Sequence, residues 1–460
     1  MQNSAKSSSL KGMMGTTPGR LRLGMFLTFI LAIGFALAGY IGVNSARDSV
    51  NTIARDAVPS IVTAQTVRVK LLEMDALASQ EFLAGGADSG AQARTKYESV
   101  RKELGEQLTI AAKNISFGKD EQGPLELLME KVQTYTGLVE AARANNRQGL
   151  PVGAAYLRMA SSMLHAEMLP QTQAIDKLNV SQLDAEYVSF KSGSMVNIAI
   201  ITAAGVALLG TLAYLQIFIA GRMRRRFNLP LLGASAAVIL LTAYSLVGMT
   251  LQRSNLGEAR EASFNSAYNW LEARGAAYDA KTDQSLYLIA LGAGAKYEES
   301  MKLKVEKLAP MNLSAATINE AAAGRISWKG LFADEITAGS GSGKDNTSAR
   351  ADALNALNAL RAYLEQDARI RSYDKSGKRA EAVNLALGNG SANQDAQKAF
   401  DDFNQVLTAN LKKATASFDQ SVASAESNIN LLDLAFIIVS LLVVALAYFG
   451  LTPRINEYRV

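Results

Sequence analysis

LLDLAFIIVSLLVVALAYFGL, residues 431–451, decides the fold: its single charge, Asp433, lies near the start, and the centre is plain Leu, Ile, Val and Ala. Wound as a helix rising 1.5 Å per residue, a stretch of this length covers roughly 30 Å, the hydrocarbon thickness of a bilayer. Working outward from it, three more stretches read the same way: Leu21–Val43, Met195–Ala220 and Leu229–Met249. Their concentration of apolar residues accounts for a chain of 460 residues that is 49% hydrophobic and only 19% charged. The first stretch follows a basic, Ser-rich leader, but its apolar core is too long for a cleaved signal peptide, and we read it as a retained span.

The net charge of +5 does not argue for nucleic acid, because the basic residues flank the spans. Lys6, Lys11, Arg20 and Arg22 precede the first; Arg222, Arg224, Arg225 and Arg226 fill the link between the second and third; Arg454 and Arg459 follow the fourth. By the positive-inside rule these segments are cytoplasmic. The expected order is a cytoplasmic tail at 1–20, spans at 21–43 and 195–220, a basic cytoplasmic link at 221–228, spans at 229–249 and 431–451, and a cytoplasmic tail at 452–460. The long connections, 44–194 and 250–430, then lie outside as two extracytoplasmic helical domains. The expected class is an all-α membrane protein in a bacterial inner or plasma membrane, with both termini in the cytoplasm. Lacking cysteine, it relies on packing for stability.

In the first connection, Val58, Val62, Val69, Leu72, Ala76 and Leu83 recur at alternating four- and three-residue steps, interrupted by Gln65 and Ser79. Further helices over about Gln92–Ile115, from Pro124, and from Val152 into the second span complete an up-down-up-down four-helix bundle. Pro59 and Pro170 are expected to kink or break their helices. The second connection repeats the plan with insertions: a helix over Ser254–Leu291, a flexible loop at Gly339–Asn346, helix over Asp352–Tyr373, and a last helix striped by Phe400, Phe403, Leu407, Leu411, Ala414, Phe418 and Val422. Asp75-Ala76 with Gln80 recurs as Asp279-Ala280 with Gln284, and Tyr135 is echoed by Tyr363. These echoes point to a tandem duplication.

Catalytic chemistry finds little to work with. His165 is the single histidine, cysteine is absent, and no GxxxxGK[ST], GxGxxG or HExxH string occurs, so we expect no enzyme activity, no cofactor and no metal site. His165 beside Glu167 reads as a partly exposed bundle residue, and Gly388-Asn389-Gly390 as a turn. Asp433 sits in a first helical turn, within reach of headgroups and water, which argues against an ion pathway. Arg68, Lys70, Arg94 and Arg101 are candidates for an outer carboxylate ligand, although such charges are usually a solvated face; the ligand and outer contact surface stay unassigned. Trp270 and Trp328 fit core packing better than a partner hot spot.

Two resemblances follow. Leu83-Ala84-Gly85-Gly86 after a long helix, with Asn146-Arg147-Gln148-Gly149-Leu150-Pro151 before Tyr156-Leu157-Arg158-Met159-Ala160-Ser161, resembles the four-helix sensing domain of chemoreceptors, without the signalling helices that normally follow the second span. The chain as a whole resembles the GlnX-type four-span signal-relay proteins of actinobacteria, through Thr17-Pro18-Gly19-Arg20-Leu21-Arg22, Arg224-Arg225-Arg226-Phe227-Asn228, Asp283–Leu291 with Gly292, Ala380–Gly388 and the Pro453–Arg459 ending.

That resemblance implies amino-acid sensing. An extracytoplasmic solute-binding lipoprotein (GlnH-like) detects the amino acid, and the membrane protein, not itself a kinase, passes its occupancy to a cytoplasmic serine/threonine kinase (PknG-like). With so little chain in the cytoplasm, docking falls to Arg222, Arg224, Arg225, Arg226, Phe227 and Asn228 of the link and to Pro453, Arg454, Glu457, Tyr458 and Arg459 of the tail. The bilayer is the remaining partner, homo-oligomers are compatible with the plan, and nucleic acid is not expected. A membrane scaffold or accessory subunit of an envelope complex, and a direct small-molecule sensor acting through the outer bundles, are the alternatives.

Overall fold

The computed structural model describes residues 16–85, 88–115, 118–223, 228–341, 347–388 and 395–457. Among these, the structure is helical and contains no strand. In chain order the helices are α1 (Thr17–Asn51), α2 (Val58–Ala84), α3 (Asp88–Lys113), α4 (Lys119–Arg147), α5 (Val152–Met163), α6 (Leu169–Met223), α7 (Leu229–Glu258), α8 (Asn265–Ile289), α9 (Ala295–Glu306), α10 (Ala315–Ala322), α11 (Leu331–Gly341), α12 (Thr347–Lys375), α13 (Arg379–Leu387), α14 (Ala396–Ser427) and α15 (Leu432–Asn456). Four helical runs are long and apolar enough to cross a membrane, and the four expected spans fall within α1, α6, α7 and α15, save that Leu431 is the N-cap of α15. The protein is a multi-pass membrane protein.

Contacts divide the chain into a membrane unit, residues 1–54, 184–258 and 420–460, and an interspan unit, residues 55–183 and 259–419. The chain passes from one unit to the other always within a helical run.

In the membrane unit Ile217, Leu240 and Leu441 are among the large apolar side chains left exposed, as lipid-facing positions should be. Water gives no hydrophobic drive between spans in lipid, so association rests on close van der Waals approach over small residues. Gly39 is one such position: a Cβ there would lie 2.1 Å from Cγ of Phe436, whose ring also meets Phe35 edge-on at 5.1 Å. Gly24 against Leu215 and Gly205 against Thr242 bring the second and third spans into the same core. Asp433, in the first turn of α15, is paired with Arg47 at 3.2 Å, so the carboxylate has a protein partner besides water.

Three π-helical turns interrupt the long runs: Thr52–Ala57, Leu164–Met168 and Ala259–Phe264. The first two lie immediately before Pro59 and Pro170. A proline inside a helix lacks its N–H and crowds the carbonyl four residues back, and a widened turn absorbs both effects without ending the helix. The expected breaks are therefore local widenings, and the third π turn has no proline to explain it. The loop expected at Gly339–Asn346 begins later, since α11 runs to Gly341; residues 342–346 lie outside the described residues.

Both connections contribute to one hydrophobic core in the interspan unit. Its axis is the pair α2 and α8, each buried on nearly every side, which is why their buried residues include Gln65, Asp75, Ser79 and Gln80 on α2 and Lys281, Asp283 and Gln284 on α8. Val69 and Leu72 of the expected stripe pack on Gly275 of α8. Aromatic rings fill the second half of the core: Trp270 meets Phe332 at 5.7 Å, and Phe400 lies edge-on to both Tyr278 and Tyr363. Each half opens with a π turn followed by a deeply buried helix, the order a duplication would leave.

Replacing Gly39 by Ala should destabilise the membrane unit by about 1–3 kcal/mol through overpacking against Phe436, whereas Gly34→Ala, with open space at its Cβ, should be neutral. Thermal unfolding of both variants in the same nanodisc tests this, and equal melting temperatures would contradict the packing.

Candidate functional site: the seam between the two connections

Polar side chains that cross between the connections line the α2/α8 pair. Tyr268 donates to Asp176 at 2.7 Å; Arg68 pairs with Glu272, which also holds Lys307; Tyr278 donates to Glu73 at 2.9 Å; Gln80 donates to Gln397 at 2.9 Å. Buried polar groups are costly unless partnered, and apart from Glu272–Lys307 each of these pairs joins the two connections. A shift of α2 along α8 therefore breaks several of these bonds together.

At the centre lies a continuous network. Asp75, fully buried, accepts from Tyr135 Oη at 2.9 Å and from Ser161 Oγ at 2.7 Å. The backbone carbonyl of Ser161 lies 2.8 Å from Nδ1 of His165, and Nε2 of His165 lies 2.8 Å from Asp279 across the seam. Lys304 of α9 pairs with Asp279 at 2.6 Å and with Asp283.

Burial dominates the Asp75 carboxyl and raises its pKa against the pull of His165, Ser161 and Tyr135. For His165 burial pulls the pKa down, but the hydrogen bond and charge of Asp279, with Asp75 behind them, prevail and bring it up to about 9. Asp279 shows the counterpart: burial raises it, yet His165 and Lys304 hold it below the usual carboxylate range. At neutral pH the seam thus contains an imidazolium between two carboxyl groups. His165 is half-buried and bridges the connections, a role its sequence neighbour Glu167, paired with Lys131, does not suggest.

A second buried cluster lies in the later connection. Lys281 donates to Gln284, whose amide donates to Asp367, and Asp367 holds Arg371 at 2.7 Å. Burial lowers the Lys281 amine to about 8. Gln80 and Gln284, matched in the sequence echo, both act as buried polar links.

The four candidate ligand cations find different places. Arg68 is in the seam, Lys70 pairs with Glu73 and Glu103, and Arg101 pairs with Glu98, so these three serve structural ion pairs; Arg94 is exposed and acts on Glu81 by charge. Trp270 is core, and Trp328 packs at its margin. Of the expected docking residues, Arg222 is exposed at the end of α6, while Asn228 is buried and donates to the carbonyl of Gly450 at 2.8 Å, tying the start of the third span to the end of the fourth. Pro453, Arg454 and Glu457 continue α15 to its C-cap, with Arg454 and Glu457 paired. Arg224, Arg225, Arg226, Phe227, Tyr458 and Arg459 lie outside the described residues, as do Asn389 and Gly390.

Residues 49–188 match the family model described as the actinobacterial sensor domain. The matched stretch contains α2 to α5, with Asp75, Tyr135, Ser161 and His165, and it supports a sensor and signalling role in an actinobacterial family. Neither the curated proteins nor the solved structures give a match.

The His165 pKa carries a pH dependence with a definite sign. Its folded value, about 9, exceeds the ordinary 6.5, so protonation favours the folded seam; the contribution is complete below the unfolded value and disappears as pH rises through about 9. Asp75, also raised, acts in the same direction. Melting temperatures of the wild type should therefore fall between pH 6.5 and 9.5 more steeply than those of His165→Gln. Parallel profiles would remove His165 from the seam's energetics.

Proposed function

We propose that the protein is a transmembrane signal relay, coupling an extracytoplasmic solute-binding lipoprotein that detects amino acids to a cytoplasmic serine/threonine kinase. The observation that carries this reading is the sensor-domain match at residues 49–188, which begins within α1 and ends within α6, the two helices that contain the first and second spans. A sensor built this way needs no mobile linker, because helical hydrogen bonding continues from the sensing segment into each span.

In this reading a liganded partner binds one arrangement of the interspan unit more tightly, and its differential affinity sets the size of the response. The seam supplies the alternatives: its polar links are distributed along α2 and α8, so they favour one register collectively. The protein performs no catalysis itself; its output passes through a receiver docking at Arg222–Phe227 and Pro453–Arg459, while Asn228, buried against Gly450, holds the link to the fourth span. In this reading both termini lie in the cytoplasm of a bacterial cell, which the basic flanks of the spans support.

Replacing Arg222, Arg224, Arg225 and Arg226 together by Gln should abolish ligand-dependent phosphorylation by the kinase while leaving the interspan unit folded. Reporter fusions must show unchanged orientation in the same cells. Signalling retained at unchanged orientation would exclude the link, and recovery of neither a binding protein nor a kinase by crosslinking on the two faces would favour a scaffold.

A further inference from the structure

At the end of α2 farthest from its π turn, a cavity of about 230 Å³ opens between α2, α4 and α5. Glu81 and Phe82 of α2, Arg143, Asn146 and Arg147 of α4 and Leu157 of α5 line it. It is independent of the α2/α8 seam and lies within the sensor-domain match.

The polar groups here are arranged unequally. Arg143 is buried, its guanidinium lies 4.4 Å above the ring of Tyr97, and it is surrounded by three carboxylates: Glu81 at 2.7 Å, Glu98 at 3.1 Å and Glu140. Both of its contacts to Glu81, from Nε and Nη2, go to the same oxygen, Oε2. Oε1 has no hydrogen-bond partner among the described residues, although the side chain is only 12% exposed. Burial raises the Glu81 carboxyl pKa against the pull of Arg143 and of the exposed Arg94, and Arg143 divides its contacts among Glu81, Glu98 and Glu140. Asn146 donates its Nδ2 to the carbonyl of Phe82 and thereby keeps Oδ1 as a second acceptor. Arg147, one turn on and exposed, makes no ion pair among the described residues. Phe82 and Leu157 add apolar wall.

An open acceptor pair, an unpaired guanidinium and an apolar wall, in a space below the roughly 300–1,000 Å³ of drug-sized sites, define a small dipolar guest. We propose that this cavity binds a small zwitterion, its ammonium on Glu81 Oε1 and Asn146 Oδ1, its carboxylate on Arg147 and its carbon skeleton against Phe82 and Leu157. The bound ammonium gives a charge-assisted partner to the Glu81 oxygen that Arg143 does not contact. The site does not rest on the relay reading, which places ligand recognition on a separate protein.

The test is thermal stabilisation of the full-length protein in nanodiscs by glycine, L-alanine, L-serine, L-aspartate, L-glutamine and 4-aminobutyrate, with methylammonium and acetate as single-charge controls. At least one zwitterion should give a saturable upward shift by mass action, and neither control should match it. Arg147→Ala, an exposed change that leaves the fold intact, should weaken that binding by about tenfold or more, the loss of a charge-assisted contact; Ala142→Leu, which enlarges a side chain of α4 on the cavity wall, should abolish it. The proposal is overturned by no shift with any zwitterion, by an affinity unchanged in Arg147→Ala, or by methylammonium binding as tightly as the zwitterions. A silent cavity leaves the partner-fed relay standing, because that reading is tested by phosphorylation and crosslinking.

Discussion

The α2/α8 pair is the constraint on which the interspan unit depends. A helix buried on nearly every side cannot hide its polar residues in solvent, and in this protein Arg68, Glu73, Asp176 and His165 each find a partner in the other half of the chain. The unit consequently depends on matched polar pairs in addition to its apolar core. Breaking one buried pair leaves the surviving charge or donor uncompensated, which costs more than the pair contributes. Such a seam resists small displacements and then yields cooperatively, a property suited to two discrete arrangements.

How much of this was legible in the sequence depended on the kind of signal. The spans were, because lipid demands an uninterrupted apolar run and LLDLAFIIVSLLVVALAYFGL meets that demand alone. The helices followed from periodicity, and the stripe from Phe400 to Phe418 lies where its spacing puts it, on the core. The seam left a fainter trace. Gln65 and Ser79 look like interruptions of a bundle stripe, and only the second packed face of α2 explains them. Asp75 and Asp279 were noticed as an echo, but no spacing says that one binds Tyr135 and Ser161 while the other takes His165 and Lys304.

Two features had no sequence signal. Arg143 sits among residues that read as a solvated face, and its burial comes from tertiary packing of α4 against α2 and over Tyr97. The π turns are likewise tertiary: Pro59 and Pro170 announce that something must yield, but not whether the helix ends, bends or widens. That it widens matters, because an ended helix would decouple the sensing segment from the span that follows it.

The sensor-domain match and the duplicated plan raise an asymmetry between the halves. The matched half carries the cavity beside Arg143, while the interior of the second half is occupied by its own Lys281, Gln284, Asp367 and Arg371 and by edge-on aromatic rings. That interior is crowded rather than fully satisfied, since Arg371 Nη1 and Tyr363 Oη have no hydrogen-bond partner among the described residues. The pairs His165–Asp279 and Arg68–Glu272 are places where the two halves meet through charge.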